Sequence, residues 1–247
     1  MGNSTGTSAA LAASILGHLQ QVESERRARA AESAWAARVR ALKAYQRERF
    51  SRSHADLLAD RRYGAAARFF LDDLYGPQDF AERDAQFARI VPPLVRLFPS
   101  EVVATVDALA ELHALSESLD SAMARQLPNE QIDAAAYQQA WQAVGRTVDR
   151  RRQIDLVMTL GSQLDRYTRN LFLRHSLKLM RGPARAAGLG SLQTFLERGF
   201  DTFGAMNGAS DFLALIEQRE RALMQALFDT PDVTSATTGP GALGQLP

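Results

Sequence analysis

Apolar residues recur along this chain with the spacing of α-helices, and no segment alternates as a half-buried β-strand would. No proline interrupts the stretch from residue 9 to residue 59, which predicts one long helix or two in tandem. Within it, Trp35, Val39 and Leu42 recur at helical spacing and form one apolar face. We therefore predict an amphipathic helical arm over residues 9–59, preceded by a frayed segment, residues 1–8.

Glycine and proline divide the following part of the chain into shorter predicted helices. These helices are predicted over residues 63–75, 79–91, 100–125, 129 or 133 to 144, 147–169, 171–180, 191–206 and 210–228. Asp79 and Glu82 have the spacing of a capping box at the start of the second helix. Pro92 and Pro93 are expected to bend or break that helix, because a proline lacks the backbone N–H that the helix needs.

These elements predict an all-α fold with a single multi-helix bundle domain over residues 60–228. The connections between the predicted helices are short, which favours one domain. Residues 229–247 contain few side chains that could be buried, so we predict a disordered tail there.

Composition narrows the function classes without selecting one. The chain contains 29 basic and 28 acidic residues and no cysteine, which excludes disulfides, thiolate metal sites and a cysteine nucleophile. The balanced charge also argues against nucleic-acid binding as a function. No apolar run is long enough to span a membrane, and nothing basic precedes the apolar residues 9–19, so we expect a cytoplasmic protein.

The segment FFLDDLYGPQDF, followed by ERDAQFARIVP and LAELHALSESLD and later by RYTRN, resembles a family of uncharacterised bacterial all-helical proteins. The resemblance covers roughly residues 45–228, and FFLDDLYGP is its most specific part. It implies a helical domain with these boundaries, and it implies no activity or ligand.

His113 is the candidate ligand residue of the predicted bundle. It shares a helical face with Val106, Leu109 and Ser116, so its side chain is predicted to point inward. Glu117 lies one turn further on and is predicted to accept the N–H of His113. Two interpretations remain open: a haem or metal ligand in a pocket between helices, or an interior histidine that is bonded to a carboxylate. None of the four histidines completes the Glu-x-x-His pair of di-iron bundles.

Three aspartates fall on predicted inward faces, namely Asp73, Asp84 and Asp165. Asp84 shares its face with Phe80 and Phe87, and a buried carboxylate must be paired, hydrogen-bonded or functional. Such groups act either as acid/base pairs on a substrate or as partners of arginines from facing helices. We predict that Asp84 is at least partly buried and is bound to an arginine of another helix.

Basic residues cluster at two places in the second half of the chain. Arg174, Lys178 and Arg181 follow helical spacing and form a candidate anion-binding stripe. Residues 150–152 are arginines in the first turn of a predicted helix, where the helix dipole disfavours positive charge. Either carboxylates pair with these groups or they bind an anion such as phosphate. Neither GxxxxGK[ST] nor GxGxxG occurs in the sequence.

The sequence favours a non-enzymatic interaction or regulatory protein. The apolar face of the arm would pack on its own domain, on a partner protein or on a second copy, and we predict partner binding or self-association through the arm. The alternative is a ligand-binding or redox protein with haem or an irregular iron site; otherwise no cofactor is predicted. The pocket of this alternative would be formed by Phe69, Phe70, Asp84, Phe87, His113 and Glu117.

Overall fold

Helices account for almost all of the described chain, as the apolar spacing predicts. The structure is a computed structural model that describes residues 2–74, 81–231 and 241–247, with no β-strand in these residues. Its α-helices are α1 (Gly2–Ala30), α2 (Ser33–Ser53), α3 (Ala55–Ala59), α4 (Gly64–Phe69), α5 (Ala81–Leu97), α6 (Ser100–Gln126), α7 (Ala134–Val144), α8 (Thr147–Thr168), α9 (Leu171–Leu179), α10 (Arg181–Ala186), α11 (Gly190–Met206) and α12 (Ser210–Asp229). A π-helical turn, Phe70–Leu74, follows α4. The all-α prediction is confirmed.

The predicted arm consists of two long helices in tandem, α1 and α2, followed by the short α3. Helix α1 begins at Gly2, within the segment that was expected to be frayed. The apolar face of Trp35, Val39 and Leu42 is buried in the chain's own core, at exposures of 0 to 5%. The prediction that this face binds a partner or a second copy therefore loses its basis, because these side chains are already covered.

Helix α5 continues through Pro92 and Pro93, so these prolines do not break the helix, and the bend that was the other expectation stays a prediction. The apolar face of α5 extends past the prolines, and Leu94 packs against the same core cluster as Phe87 and Val91. This burial compensates for the backbone hydrogen bonds that the prolines cannot donate. The predicted capping box lies partly outside the described residues, because these do not include residue 79.

Three apolar clusters form the core. The first joins α2 to the end of α6, to α7 and to α12; the second is rich in phenylalanine and joins α4 to α11 and α12; the third joins α1 to α5 and α6. Each cluster contains residues from the arm and from the bundle, so α1 and α2 are parts of the same packed body. Their most deeply buried aromatic members are Phe50, Phe70, Tyr137, Phe203 and Phe212.

The end of the chain returns to the core. A 3-10 turn, Ala242–Gln245, places Leu243 and Leu246 in the first cluster, at exposures of 4 and 5%. The Arg52 side chain also donates to the backbone carbonyl of Leu246. The disordered tail predicted for residues 229–247 therefore does not extend to residues 241–247, because two leucines supply the apolar area that the other tail residues lack. Residues 232–240 lie outside the described residues.

Within the described ranges, no helix combines the length and apolarity that crossing a bilayer requires.

Candidate functional site

A cavity of about 200 Å³ lies between the helices of the bundle. Its walls come mainly from α5, α6, α8 and α11, and α2 and α12 close one end. Several of its apolar side chains are only partly buried even though they face the interior: Ile90, Leu94, Val106, Leu109, Ile154, Val157, Met158 and Leu196. Apolar side chains that converge on an accessible interior space are typical of a ligand pocket.

Helices α6 and α8 run antiparallel and form the long walls of this cavity. At one end, Arg166 of α8 is paired with Glu101 of α6, with a nitrogen–oxygen distance of 2.9 Å. At the other end, Gln153 donates to the Ser116 hydroxyl at 2.8 Å. These bonds fix which residues of the two helices face each other.

The cavity wall changes from apolar to polar along both helices. On α6 the lining begins with Val106 and Leu109 and ends with Glu117 and Asp120. On the antiparallel α8 the polar lining residues come first, beginning at Arg150, and the apolar ones follow. Both helices therefore present polar groups at the same end. From residue 106 to residue 120 the wall extends about 21 Å, at 1.5 Å per residue.

Glu117 forms the centre of the polar end. Its carboxylate accepts from Arg29 of α1 and from Lys43 of α2, each at 2.5 Å. Burial alone would raise the pKa of Glu117, but the charges of Lys43 and Arg29 outweigh burial and lower the pKa to about 2. The predicted bond between Glu117 and His113 is therefore wrong, because residues distant in sequence supply stronger partners.

Asp120 lies one turn beyond Glu117 and is bound by a neutral group. Its Oδ1 accepts from the side-chain amide of Gln46 at 3.1 Å. Burial raises the pKa of the Asp120 carboxyl, because desolvation outweighs the nearby charge of Lys43. The pKa values of these two carboxyl groups of α6 therefore shift in opposite directions, because two cations bind Glu117 whereas an amide binds Asp120.

Two further basic groups line the polar end. The Arg150 guanidinium lies 3.8 Å from the centre of the Trp141 ring, and Arg49 of α2 binds Glu220 of α12. His54, which is fully buried, lies 2.9 Å from the same Glu220 carboxylate. The polar end thus holds helices from both halves of the chain together through charge-assisted hydrogen bonds.

Asp84 and His113 lie where the wall changes from apolar to polar. The Asp84 Oδ2 atom is 2.7 Å from His113 Nε2 and 2.7 Å from the guanidinium of Arg26 on α1. This confirms that Asp84 is partly buried and bound to an arginine of another helix. Burial would raise the pKa of Asp84, but the hydrogen bond and charge of His113, together with Arg26, lower it.

The structure brings five of the six pocket residues predicted from the sequence to this one cavity: Phe70, Asp84, Phe87, His113 and Glu117. Phe69 packs against Phe195 in the second core cluster instead. Asp73 also faces the cavity and is paired with Arg198. Among the described residues, no group of three or more His, Asp or Glu side chains is arranged to hold a metal ion. The haem or iron alternative stays a prediction.

The candidate anion stripe is divided and largely paired. Helix α9 ends at Leu179 and α10 begins at Arg181, so the stripe does not lie on one helix. Arg181 binds Glu197 of α11 through two nitrogens, and Arg174 lies 3.4 Å from Asp201. The stripe therefore fits a carboxylate-paired surface better than an anion site, although Lys178 is exposed.

Asp165 and Arg152 of α8 are likewise paired with other groups of the protein. Asp165 accepts from the backbone N–H of Ala209 and from Arg169. Arg152 makes two hydrogen bonds to Glu111 of α6. Neighbouring carboxylates thus account for Arg152, whereas Arg150 turns inward and lines the cavity.

Sequence reasoning missed the main charged residues of the polar end: Lys43, Arg49, Asp120 and Glu220. For Lys43 a weak signal exists, because the chain contains only two lysines among 29 basic residues. No local pattern marks the other three, since their partners come from helices that are distant in the sequence.

The fold and the cavity define an all-helical domain with an interior amphipathic pocket. The chain belongs to the family described as a domain of unknown function, DUF8198, whose family model matches residues 25–233. No curated protein and no solved structure matches the chain.

Proposed function

We propose that this protein binds a small, elongated amphipathic molecule in the cavity between α5, α6, α8 and α11. The observation that carries the proposal is the polarity of the wall, which changes from apolar to charged along about 21 Å of α6. A space with one apolar and one polar end is complementary to a molecule with an apolar chain and a polar head.

The volume is consistent with a ligand of this kind. An engineered apolar cavity of about 150 Å³ holds a benzene molecule. A cavity of about 200 Å³ therefore has room for a ligand somewhat larger than benzene. Because the lining extends over about 21 Å of α6, a volume of this size fits an unbranched chain better than a broad planar group such as haem.

This role replaces the interaction role that the sequence favoured. The apolar face of the arm, which motivated partner binding, is buried within the chain. The interior cavity instead presents accessible apolar surface that no described side chain of the protein covers.

The test uses matched tryptophan substitutions on α8. Val157→Trp places a large side chain in the apolar half of the cavity, whereas Val148→Trp makes the same change at a position that is 77% exposed. Small molecules that remain bound through purification are extracted and quantified by mass spectrometry, and binding of heptan-1-ol is measured by calorimetry. Circular dichroism verifies that both variants are folded.

We expect heptan-1-ol to bind the unmodified protein and Val148→Trp, and not Val157→Trp. If heptan-1-ol and other neutral amphiphiles of this size bind none of the proteins, and no small molecule co-purifies in stoichiometric amount, the cavity is not a binding site and the proposal is wrong.

A further inference from the structure

The stretch of chain that contains α9 and α10 has basic residues and no acidic ones. From residue 166 to residue 196 the sequence has six arginines or lysines and no aspartate or glutamate. Over the whole chain the charges nearly cancel, at 29 basic and 28 acidic residues, so this excess is local. A block of like charges on an otherwise balanced protein favours contact with a partner of opposite charge.

The connection between α9 and α10 forms a protruding corner. From residue 178 to residue 188 every residue is exposed except Ala184. The run of exposed residues 178–183 covers more than one helical turn, so no side of this corner is buried against another helix. Leu179 and Met180 lie in this run, with exposed fractions of 67 and 53%. Two large apolar side chains thus stand at the tip of a basic segment.

Carboxylates of α11 neutralise part of the positive charge. Glu197 lies 2.8 Å from the guanidinium of Arg181, and Asp201 lies 3.4 Å from that of Arg174. The hydrogen bond of Arg181 lowers the pKa of Glu197, and the charge of Arg185 adds to this effect. One carboxylate of α11 is therefore shared by two arginines.

Positive charge remains when the neighbouring groups are counted. The groove beside Arg185 contains carboxylates as well as arginines. Neither Lys178 nor Arg185 forms an ion pair within the described part of the chain. The excess thus lies at exposed residues on either side of Leu179 and Met180. The cations of the corner, of this groove and of their ion pairs are Arg47, Arg83, Arg89, Arg174, Lys178, Arg181, Arg185 and Arg198, and the carboxylates are Asp72, Asp73, Glu82, Asp84, Glu197 and Asp201.

Exposed apolar side chains between cations are complementary to an anionic bilayer. Apolar groups enter the boundary between headgroups and acyl chains, and basic groups stay at the level of the lipid phosphates. A nucleic acid would match the charge and would leave the apolar tip in water. The corner combines both features that a charged lipid surface recognises.

We propose that the corner between α9 and α10 docks on the surface of an anionic bilayer. Leu179 and Met180 enter the bilayer boundary, and Lys178 and Arg185 contact lipid phosphates. No residue of α9 or α10 lines the cavity. The inference therefore goes beyond the proposed binding function and does not depend on it.

The first test is co-sedimentation of the full chain with vesicles over a series of lipid concentrations. One set of vesicles is phosphatidylcholine alone, and the other is an equimolar mixture of phosphatidylcholine and phosphatidylglycerol. We expect the protein to bind the anionic vesicles at least about tenfold more tightly than the neutral ones. Raising NaCl from about 0.05 M to about 0.5 M should remove most of this difference, because salt screens the charges.

Paired charge variants test the basic residues of the corner. Lys178→Gln combined with Arg185→Gln should weaken binding to anionic vesicles by roughly 30-fold, because each basic residue near an anionic surface contributes about fivefold. Arg40→Gln combined with Arg151→Gln removes the same charge at two other exposed positions and should change binding by less than about threefold.

Paired apolar variants test the tip in the same way. Leu179→Ser combined with Met180→Ser should weaken vesicle binding by about tenfold or more. The control is Leu97→Ser combined with Phe98→Ser, because these two consecutive residues of another segment are 77 and 47% exposed. We expect the control to bind as the unmodified protein does. Circular dichroism verifies that all variants are folded.

A fluorescent label reports directly which residue enters the bilayer. The chain has no cysteine, so a single introduced cysteine is labelled uniquely with an environment-sensitive nitrobenzoxadiazole dye. Anionic vesicles should shift the emission of labelled Leu179→Cys to the blue and increase it. Labelled Val148→Cys, at a position that is 77% exposed, should show no shift.

Three outcomes would overturn the docking proposal. The first is that the protein binds no vesicles, or binds neutral and anionic vesicles equally. The second is that the corner variants and their controls lose binding to the same extent. The third is that the protein binds vesicles while the label on Leu179→Cys stays in water, since another surface then makes the contact. If a double variant fails to fold, the labelled single cysteines decide the question.

Discussion

Replacing Glu220 of α12 by alanine should remove one of the strongest charge clusters in the core. The Glu220 carboxylate accepts from Arg49, which is 5% exposed, and from the fully buried His54. Glu220→Ala would leave the buried guanidinium without this partner. Breaking a buried ion pair on one side costs about 3–5 kcal/mol in the free energy of unfolding.

Glu217 provides the matched control on the same helix. It is paired with Arg221 one turn away, and both side chains are about two-fifths exposed. Pairs of this kind contribute about 0.3–0.5 kcal/mol, so Glu217→Ala should change stability by less than about 0.5 kcal/mol. Urea unfolding followed by circular dichroism measures both variants. With a slope near 3 kcal/mol per molar, Glu220→Ala should lower the midpoint by roughly 1 M.

The same cluster gives a pH dependence with a defined sign. Burial alone would raise the pKa of Glu220, but the charge of Arg49 and the bond to His54 lower it to about 2. Because the folded-state pKa is below the unfolded value, this contribution is present above about pH 4.5 and is lost as the pH falls towards 2. At about 1.4 kcal/mol per pKa unit, it amounts to roughly 3 kcal/mol. If Glu220→Ala and Glu217→Ala prove equally mild at pH 7, the buried cluster does not exist in solution.

Three further substitutions test other parts of the structure by urea unfolding. Asp84→Ala removes the carboxylate that binds the arginine of α1 and should lower the free energy of unfolding by about 3 kcal/mol. Asp56→Ala, at an exposed pair, should lower it by less than about 1 kcal/mol. Equal losses of stability would contradict the burial of Asp84. Gly64→Ala places a Cβ 2.8 Å from a backbone oxygen and should destabilise by about 1–3 kcal/mol, whereas Gly17→Ala, with open space around it, should be neutral or stabilising. Leu243→Ala should cost about 2–5 kcal/mol, and no loss would show that residues 241–247 do not pack.

Much of the fold follows from periodicity, because burial of one helix face is a local property of the sequence. On α6, the predicted inward face of Val106, Leu109, His113 and Ser116 is the face that lines the cavity. The positions of the helix breaks were also largely predictable, and Asp133 caps α7 by accepting from a backbone N–H as its type suggests.

The partners of the charged residues were not predictable in the same way. The helical i, i+4 spacing suggested that His113 binds Glu117, yet Glu117 binds Arg29, which is 88 residues away in sequence. A neighbour on one helix contributes a few tenths of a kcal/mol, whereas a buried charge-assisted bond contributes about 1.5–3 kcal/mol. A partner from a distant helix therefore displaces a neighbour on the same helix wherever both can reach the charged group. The sequence alone does not show which distant residues come within reach.

The cavity itself is the feature that periodicity could not distinguish from a packed core. At about 24 cal/mol per Å³, an empty and wholly apolar space of about 200 Å³ would cost roughly 5 kcal/mol, which is an upper bound here because only part of the wall is apolar. Even half of that cost is a sizeable fraction of the net stability of a small domain, about 5–15 kcal/mol. At the polar end, the buried charge pairs of Glu117 and Glu220 hold the helices apart, and water in the space can be hydrogen-bonded there. Beside Leu109 and Val157 the wall offers no hydrogen-bonding group that would compensate for an empty space. An apolar chain bound there would recover the lost contacts, which is why the apolar half of the cavity argues for a ligand more strongly than the charged half does.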